Sequence, residues 1–307
     1  MSRRGSADGP TGLVVVNKEP GWTSHDVVAK VRRIFGQRRT GHAGTLDPSA
    51  TGVLLIGLGR ATRLLRFLQD TTKGYEGELV LGSTTTTLDA DGEVTATFDM
   101  SMVQAEEVVA AAATFTGDIL QIPPMVSAIK IDGQRLHNLA RQGIEVERPA
   151  RPVRVDRYDI AATQDPLRYG FVVECSSGTY VRSLVDDLGR ALGGGAHMAR
   201  LCRTSVGAFG LNDARTLDEL AALVGDGSAS MAEAMLTPAQ ALRHLEQATV
   251  GEDVASLIGR GLGLDRVSVG VSGPGPYALI DDRGSLLAVY DASATDRITP
   301  AVVLAAR

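Results

Sequence analysis

At 307 residues, with 44% hydrophobic and 22% charged residues, the chain can bury a substantial core as one large domain plus a small one, or as two domains, without covalent staples. The net charge of −5 is unevenly spread: residues 1–75 hold twelve Lys and Arg against five Asp and Glu, and residues 208–307 hold seven against thirteen, so a basic N-terminal part suits a polyanion while an acidic end favours solubility. Two cysteines, Cys175 and Cys202, cannot form a disulfide framework, the stretch MSRRGSADGPTG has no apolar signal core, and no apolar run reaches the roughly 18 residues of a membrane span; this predicts a soluble cytoplasmic protein.

In chain order, GLVVVN (12–17) is a short β-branched strand, ended by the turn signal Pro20-Gly21. Ser24 is a predicted N-cap for a helix running to about Phe35, with Val27, Val28, Val31, Ile34 and Phe35 at helical spacing and Lys30, Arg32 and Arg33 on other faces. VLLIGLG (53–59) predicts a buried strand, and RATRLLRFLQ a short helix whose Arg60, Arg63 and Arg66 share a face. Strands follow at 75–82 and within 151–164 and 169–176, helices at about 103–115 and 180–192. The small, polar stretch 224–234 predicts a loosely structured connection. Beyond about 245, VSVGVS, PYALIDD and SLLAVYD predict short strands of a small β-rich domain. Without a regular βαβ rhythm, the fold class is α+β with a mixed, mainly antiparallel sheet.

The chain holds no Walker A sequence, no complete GxGxxG after a strand, no HExxH and no GxSxG, and its five histidines, His25, His42, His137, His197 and His244, lack metal-ligand spacing. No metal and no nucleotide cofactor are implied. What stands out is GHAGTLDPSATG (41–52), in which Gly41, Gly44 and Gly52 admit unusual backbone conformations and Pro48 biases Asp47 away from helix. Two readings of Asp47 remain open from the residues alone. It is a turn former bonded to its own backbone, or it is an ionised carboxylate, kept so by Arg38, Arg39, Arg60, Arg63 and Arg66 nearby in sequence, acting as nucleophile or base on a nucleic acid. Arg182, at a strand-to-helix junction in SSGTYVRSL, is either a structural ion-pair arginine or a bidentate partner for a carboxylate.

Six stretches in order, VVVNKEPGWTSHDVVAKVRR, RRTGHAGTLDPSATGVLLIGLGRATR, KGYEGELVLG, IPPMVSAIKIDGQRLHNLARQGIEVERPARPV, CSSGTYVRSLVDDLG and AHMARLCRTSVGAF, resemble the motifs of the bacterial TruB-type tRNA pseudouridine synthases over roughly residues 12–210. The resemblance implies a pseudouridine synthase fold, with a catalytic domain over 1–240 and a small β-rich, PUA-like domain over 241–307. It implies isomerisation of a T-loop uridine (position 55) in tRNA by base flipping, without cofactor. Asp47 matches the catalytic aspartate, which attacks ribose C1′ or deprotonates C2′. Tyr75 matches the tyrosine that stacks on the target base and is a candidate acceptor of the C5 proton, and Arg182 the arginine paired with the catalytic carboxylate. His42 matches the histidine associated with base extrusion. Leu201 matches an apolar residue packed on the base, or is plain core. Lys18 lies in the family's N-terminal KPxG-like motif, here KEPG. Residues 121–152 resemble an insertion that closes over the T-loop, with Lys130 and Arg141 among its phosphate-facing cations. The expected protein is a monomer needing no protein partner and no membrane. Two other readings are a tRNA-binding or tRNA-folding module in which isomerisation is secondary, and a guide-RNA-directed subunit of a larger particle, against which the absence of long basic tails argues.

Overall fold

The structure, a computed structural model, describes residues 9–304 apart from 128, 132, 226, 294 and 295; the side chains of 130, 135, 137, 141 and 228–230 also lie outside the description. The main elements in chain order are β1 (Gly12–Lys18), α1 (Ser24–Ile34), β2 (Thr40–Ala43), β3 (Thr51–Leu58), β4 (Lys73–Leu81), α2 (Ala105–Ala113), β5 (Gly117–Gln121), β6 (Arg151–Ala162), β7 (Arg168–Cys175), α3 (Val181–Ala191) and β8 (Ala196–Val206). They continue with α4 (Leu217–Gly225), α5 (Ser228–Glu233), β9 (Glu246–Thr249), α6 (Glu252–Gly259), β10 (Leu264–Asp265), β11 (Tyr277–Ile280), β12 (Leu286–Ala292) and β13 (Arg297–Val303). The chain forms two compact units: residues 1–48, 53–69 and 206–307 make the first, and 49–52 with 70–205 the second.

In the first unit β1 lies beside β3, and β2 runs antiparallel to β3 with His42 opposite Ile56. A five-stranded sheet follows in the order β9-β11-β12-β13-β10, with only β9-β11 parallel. The alternation of its strands sorts side chains to two cores. Ala278, Val289 and Val302 join Leu13, Val15, Val53, Leu55, Leu64 and Phe209 in one. Tyr277, Leu279, Ala288 and Tyr290 join Ile258 of α6 in the other.

The second unit is a twisted sheet in the order β8-β4-β7-β6-β5. Thr51 and Gly52 pair in parallel with Cys202 and Arg203 of β8; β4 with β7, β7 with β6 and β6 with β5 pair antiparallel. Along β7, Tyr169, Phe171, Val173 and Cys175 are buried while Val172 and Glu174 are exposed, the period of a strand with one face in a core and one in water. Helix α2 packs on β6 and α3. On the wet face Arg154 pairs with Asp118 and Asp156, Arg157 with Asp159 and Glu174, and Arg168 with Glu78 and Asp165.

Several expectations need correction. The cap of α1 is Thr23, whose hydroxyl accepts from Asp26 N while Asp26 accepts from Thr23 N; the Thr23 hydroxyl, donating to the carboxylate at 2.6 Å, and then the Thr23 amide lower the Asp26 carboxyl below its ordinary value. Ser24 is already helical and turns its hydroxyl elsewhere. The stretch 224–234 holds the end of α4 and all of α5 (Ser228–Glu233), with Gly227 at φ 120° between the two helices. VSVGVS holds a 3-10 turn, Val267–Val269, closed by Gly270 at φ 72°. Of the arginines expected to line one basic face, Arg60 donates to Leu304 O (2.6 Å) and Arg63 to Val303 O (2.7 Å). Both bonds tie down the end of β13. Gly41 stands in β2 without a positive φ, whereas Gly44 (83°) and Gly52 (98°) do need glycine's freedom; a Cβ on Gly52 would lie 2.2 Å from Arg203 O.

Candidate active site

In the first unit, the residues on both sides of Asp47 are held by side chains far away in sequence. Ser24 Oγ donates to Leu46 O (3.1 Å) and accepts from Leu46 N (2.9 Å), so one hydroxyl in the first turn of α1 satisfies both backbone polar groups of the residue before Asp47. Lys18, at the end of β1 and with no exposed surface, donates from Nζ to Glu19 O (3.0 Å), Trp22 O (2.8 Å) and Pro48 O (2.9 Å). Pro48 O also accepts from Gly21 N at 2.9 Å. A buried ammonium with its three protons directed at three carbonyls is a well-satisfied charge. It welds the KEPG turn to the turn after a half-buried Asp47. The arrangement holds one carboxylate on a rigid loop, which is what a nucleophile or base requires of its backbone. His42, half-buried on β2, meets His25 of α1 edge to face, with ring centroids 5.5 Å apart at 80°.

In the second unit, Tyr75 lies on β4 opposite Val173, 7% exposed. Lys73, two residues earlier on the same face of the strand, is equally covered and donates to Thr71 O at 3.0 Å. Burial, reinforced by the Arg203 guanidinium, pushes its ammonium down to about 8. Gly74 and Gly77 let β4 approach its neighbours closely: a Cβ on Gly77 would lie 2.3 Å from Arg200 O. Leu201 of β8 is 8% exposed, and its carbonyl accepts from Thr51 Oγ1 at 3.4 Å.

Arg182, in the first turn of α3, is 4% exposed. Its Nη1 donates to Thr87 O (2.7 Å) and lies 3.4 Å from Asp89 Oδ2, while Nη2 donates to Val126 O (3.0 Å). The helix start is set by Gln121, whose side-chain amide accepts from Tyr180 N (2.7 Å) and donates to Tyr180 O (3.0 Å). A buried guanidinium with a carboxylate and two carbonyl acceptors is held in one orientation. Asp89, 6% exposed, was not among the candidates from sequence. The signal for it was Asp-Ala-Asp-Gly one residue after a run of four threonines, which reads as an ordinary turn. The side chains of Lys130 and Arg141 lie outside the described residues. Among the described residues no group of three or more His, Cys, Asp or Glu could hold a metal ion, and no helix is long and apolar enough to cross a membrane.

The carboxylate turn and the buried arginine can now be set beside known proteins. Residues 32–181 match the model of the TruB family pseudouridylate synthase (N terminal domain), and residues 182–244 that of the tRNA pseudouridylate synthase B C-terminal domain. A curated tRNA pseudouridine synthase B of Rhodococcus jostii (strain RHA1) is 47% identical over 91% of this chain and 89% of its own length. Another, of Nocardia farcinica (strain IFM 10152), is 55% identical over 68% of this chain and 70% of its own. The crystal structure of a Cbf5-Nop10-Gar1 complex contains a chain that superposes with a TM-score of 0.76 at 26% identity, covering 96% of this chain and 85% of that one. The chain belongs to the TruB family of pseudouridylate synthases.

Proposed function

We propose that the protein isomerises uridine to pseudouridine in tRNA, at position 55 of the T-loop, by flipping the base into its site and using Asp47 without any cofactor. The observation that carries this reading is the Asp47 turn, clamped at Leu46 by Ser24 and at Pro48 by Lys18, in a chain of this family. The reaction needs no external oxidant or nucleophile. The N1–C1′ bond breaks, the base turns, C5 bonds to C1′, the C5 proton is lost and N1 gains one, so atoms balance within one nucleotide. Asp47 either attacks C1′ or removes the C2′ proton, and in both cases it must enter as a carboxylate. Arg182 is the cation that keeps it ionised, Tyr75 stacks on the base and is the candidate acceptor of the C5 proton, and Leu201 packs on the base from β8. Extrusion of a stacked base costs a few kcal/mol, and His42 offsets part of that cost by filling the vacated place. Lys18 acts through the turn that it holds, and Lys130 and Arg141 of the 121–152 insertion are assigned to RNA phosphates. We further assign the catalytic part to residues 1–240 and the 241–307 piece to a PUA-like domain, in a monomer that works without a protein partner.

The test is incubation of the purified chain alone with unmodified tRNA, followed by mapping of pseudouridine. Modification confined to position 55 is expected. Asp47→Ala is expected to bind tRNA with unchanged affinity and to form no pseudouridine; product formation by that variant would sink the mechanism.

A further inference from the structure

Leu88 is the one non-glycine among the described residues with a positive φ, 62°. A leucine is strained there, and such strain persists only where the surroundings over-determine it. Leu88 N donates to Thr85 O (3.2 Å), Met198 N of β8 donates to Leu88 O (3.1 Å), and Ala90 N donates to Met198 O (2.9 Å). Through this left-handed step, the carbonyl of residue 87 and the carboxylate of residue 89 converge on one guanidinium nitrogen, Arg182 Nη1. The Thr87 hydroxyl donates to Asp89 Oδ1, to which Asp91 N also donates at 3.1 Å, leaving Oδ2 turned to the arginine. Gly92 closes the turn so tightly that a Cβ there would lie 2.4 Å from the Thr87 hydroxyl oxygen.

We propose that Thr87 and Leu88 are positioning residues for Arg182. The left-handed turn presents a carbonyl and a carboxylate to the guanidinium in one orientation, and the Thr87 hydroxyl stops the carboxylate from rotating away. This rests on the reading of Arg182 as the partner of the reacting carboxylate. Charge-assisted hydrogen bonds are directional. With Asp91 N as the remaining donor to Asp89 Oδ1, the carboxylate is held less tightly and the arginine loses its aim, and misplacement by an ångström costs about 100-fold in rate.

The experiment measures, for the full chain, pseudouridine formation at saturating tRNA, tRNA affinity and thermal unfolding. Thr87→Val removes the donor at constant volume and is expected to lower the rate about 10- to 100-fold with unchanged affinity. Thr87→Ser, which keeps the donor, recovers most of it. Leu88→Val loses more rate than Leu88→Gly, since a β-branched residue is worst and glycine best at positive φ. A Thr87→Val enzyme of full rate beside an inactive Arg182→Lys overturns the proposal and leaves the arginine's role standing. Full rate in Arg182→Lys overturns both. A loss in Thr87→Val that serine does not recover, or that follows lowered thermal stability alone, also overturns it.

Discussion

Lys18 serves three carbonyls at once; without the ammonium, Glu19 O and Trp22 O lose this donor, while Pro48 O keeps only Gly21 N. Buried acceptors stripped of a partner cost about 1–3 kcal/mol each before relaxation. Lys18→Met, close in volume, is therefore expected to lower the urea midpoint of unfolding markedly and to reduce pseudouridine formation through a loosened Asp47 turn, with tRNA affinity less affected; denaturant titration and product assays check the two parts. The identity of the lysine as a motif residue was legible in KEPG. Its work was not, because Pro48 lies 30 residues away and nothing local links the two. Arg182 has the same history. Its sequence neighbourhood suggested a carboxylate partner but could not point to Asp89, on a turn that reads as plain loop.

Helix α3 carries Arg182 at its start and two adjacent carboxylates, Asp186 and Asp187, further along. Asp186 is tied to Arg190 at 2.8 Å. Burial, and then the Asp186 charge, raise the Asp187 carboxyl from 3.8 to about 6. Between those values the folded protein holds a proton more tightly than the unfolded chain, so this group's stabilising contribution is present below 3.8 and is lost as pH rises through about 6. Asp187→Asn is accordingly expected to raise the melting temperature above pH 6, with the gain shrinking as pH falls towards 4; melting curves across that window decide it. Most elements were legible from pattern, since β4, β6, β7, α1 and α3 show an apolar stripe at period 2 or 3.6 and β1 a continuous β-branched run. The misses have local causes. Thr23 and Ser24 are both capping residues, and only the backbone angles of residue 23 (φ −74°, ψ 156°) distinguish them. At 224–234 two glycines and two serines outnumber the three alanines, and only the structure shows that the break is confined to the step between α4 and α5.

At the scale of the molecule, the acidic end of the chain builds a sheet whose one face lies in the same core as β1, β3 and the 3-10 turn Gly59–Leu64. Val302 and Leu304 belong to that core, and Arg60 and Arg63 hold the carbonyls of Val303 and Leu304. Removing residues 246–307 would thus expose apolar surface on the N-terminal segments, at about 25 cal/mol for each Å² uncovered. The truncated chain is expected to aggregate or to melt well below the full chain, whereas excision of a freely hinged domain would leave the melting temperature of the remainder unchanged. Expression of residues 1–245 with calorimetry separates these outcomes.

By itself, the sequence determined the class of the fold, the strands and helices with strong periodicity, the family and the carboxylate on which the proposed chemistry turns. These are properties of local spacing or of contiguous motifs, which a linear chain displays directly. Only the tertiary structure decided what holds that chemistry in place: Ser24 on Leu46, Lys18 on Pro48, and Arg182 on Thr87 and Asp89. A buried charge or hydroxyl must find acceptors wherever packing brings them. Those acceptors are mostly backbone carbonyls, which every residue carries, so no residue type in the sequence marks them.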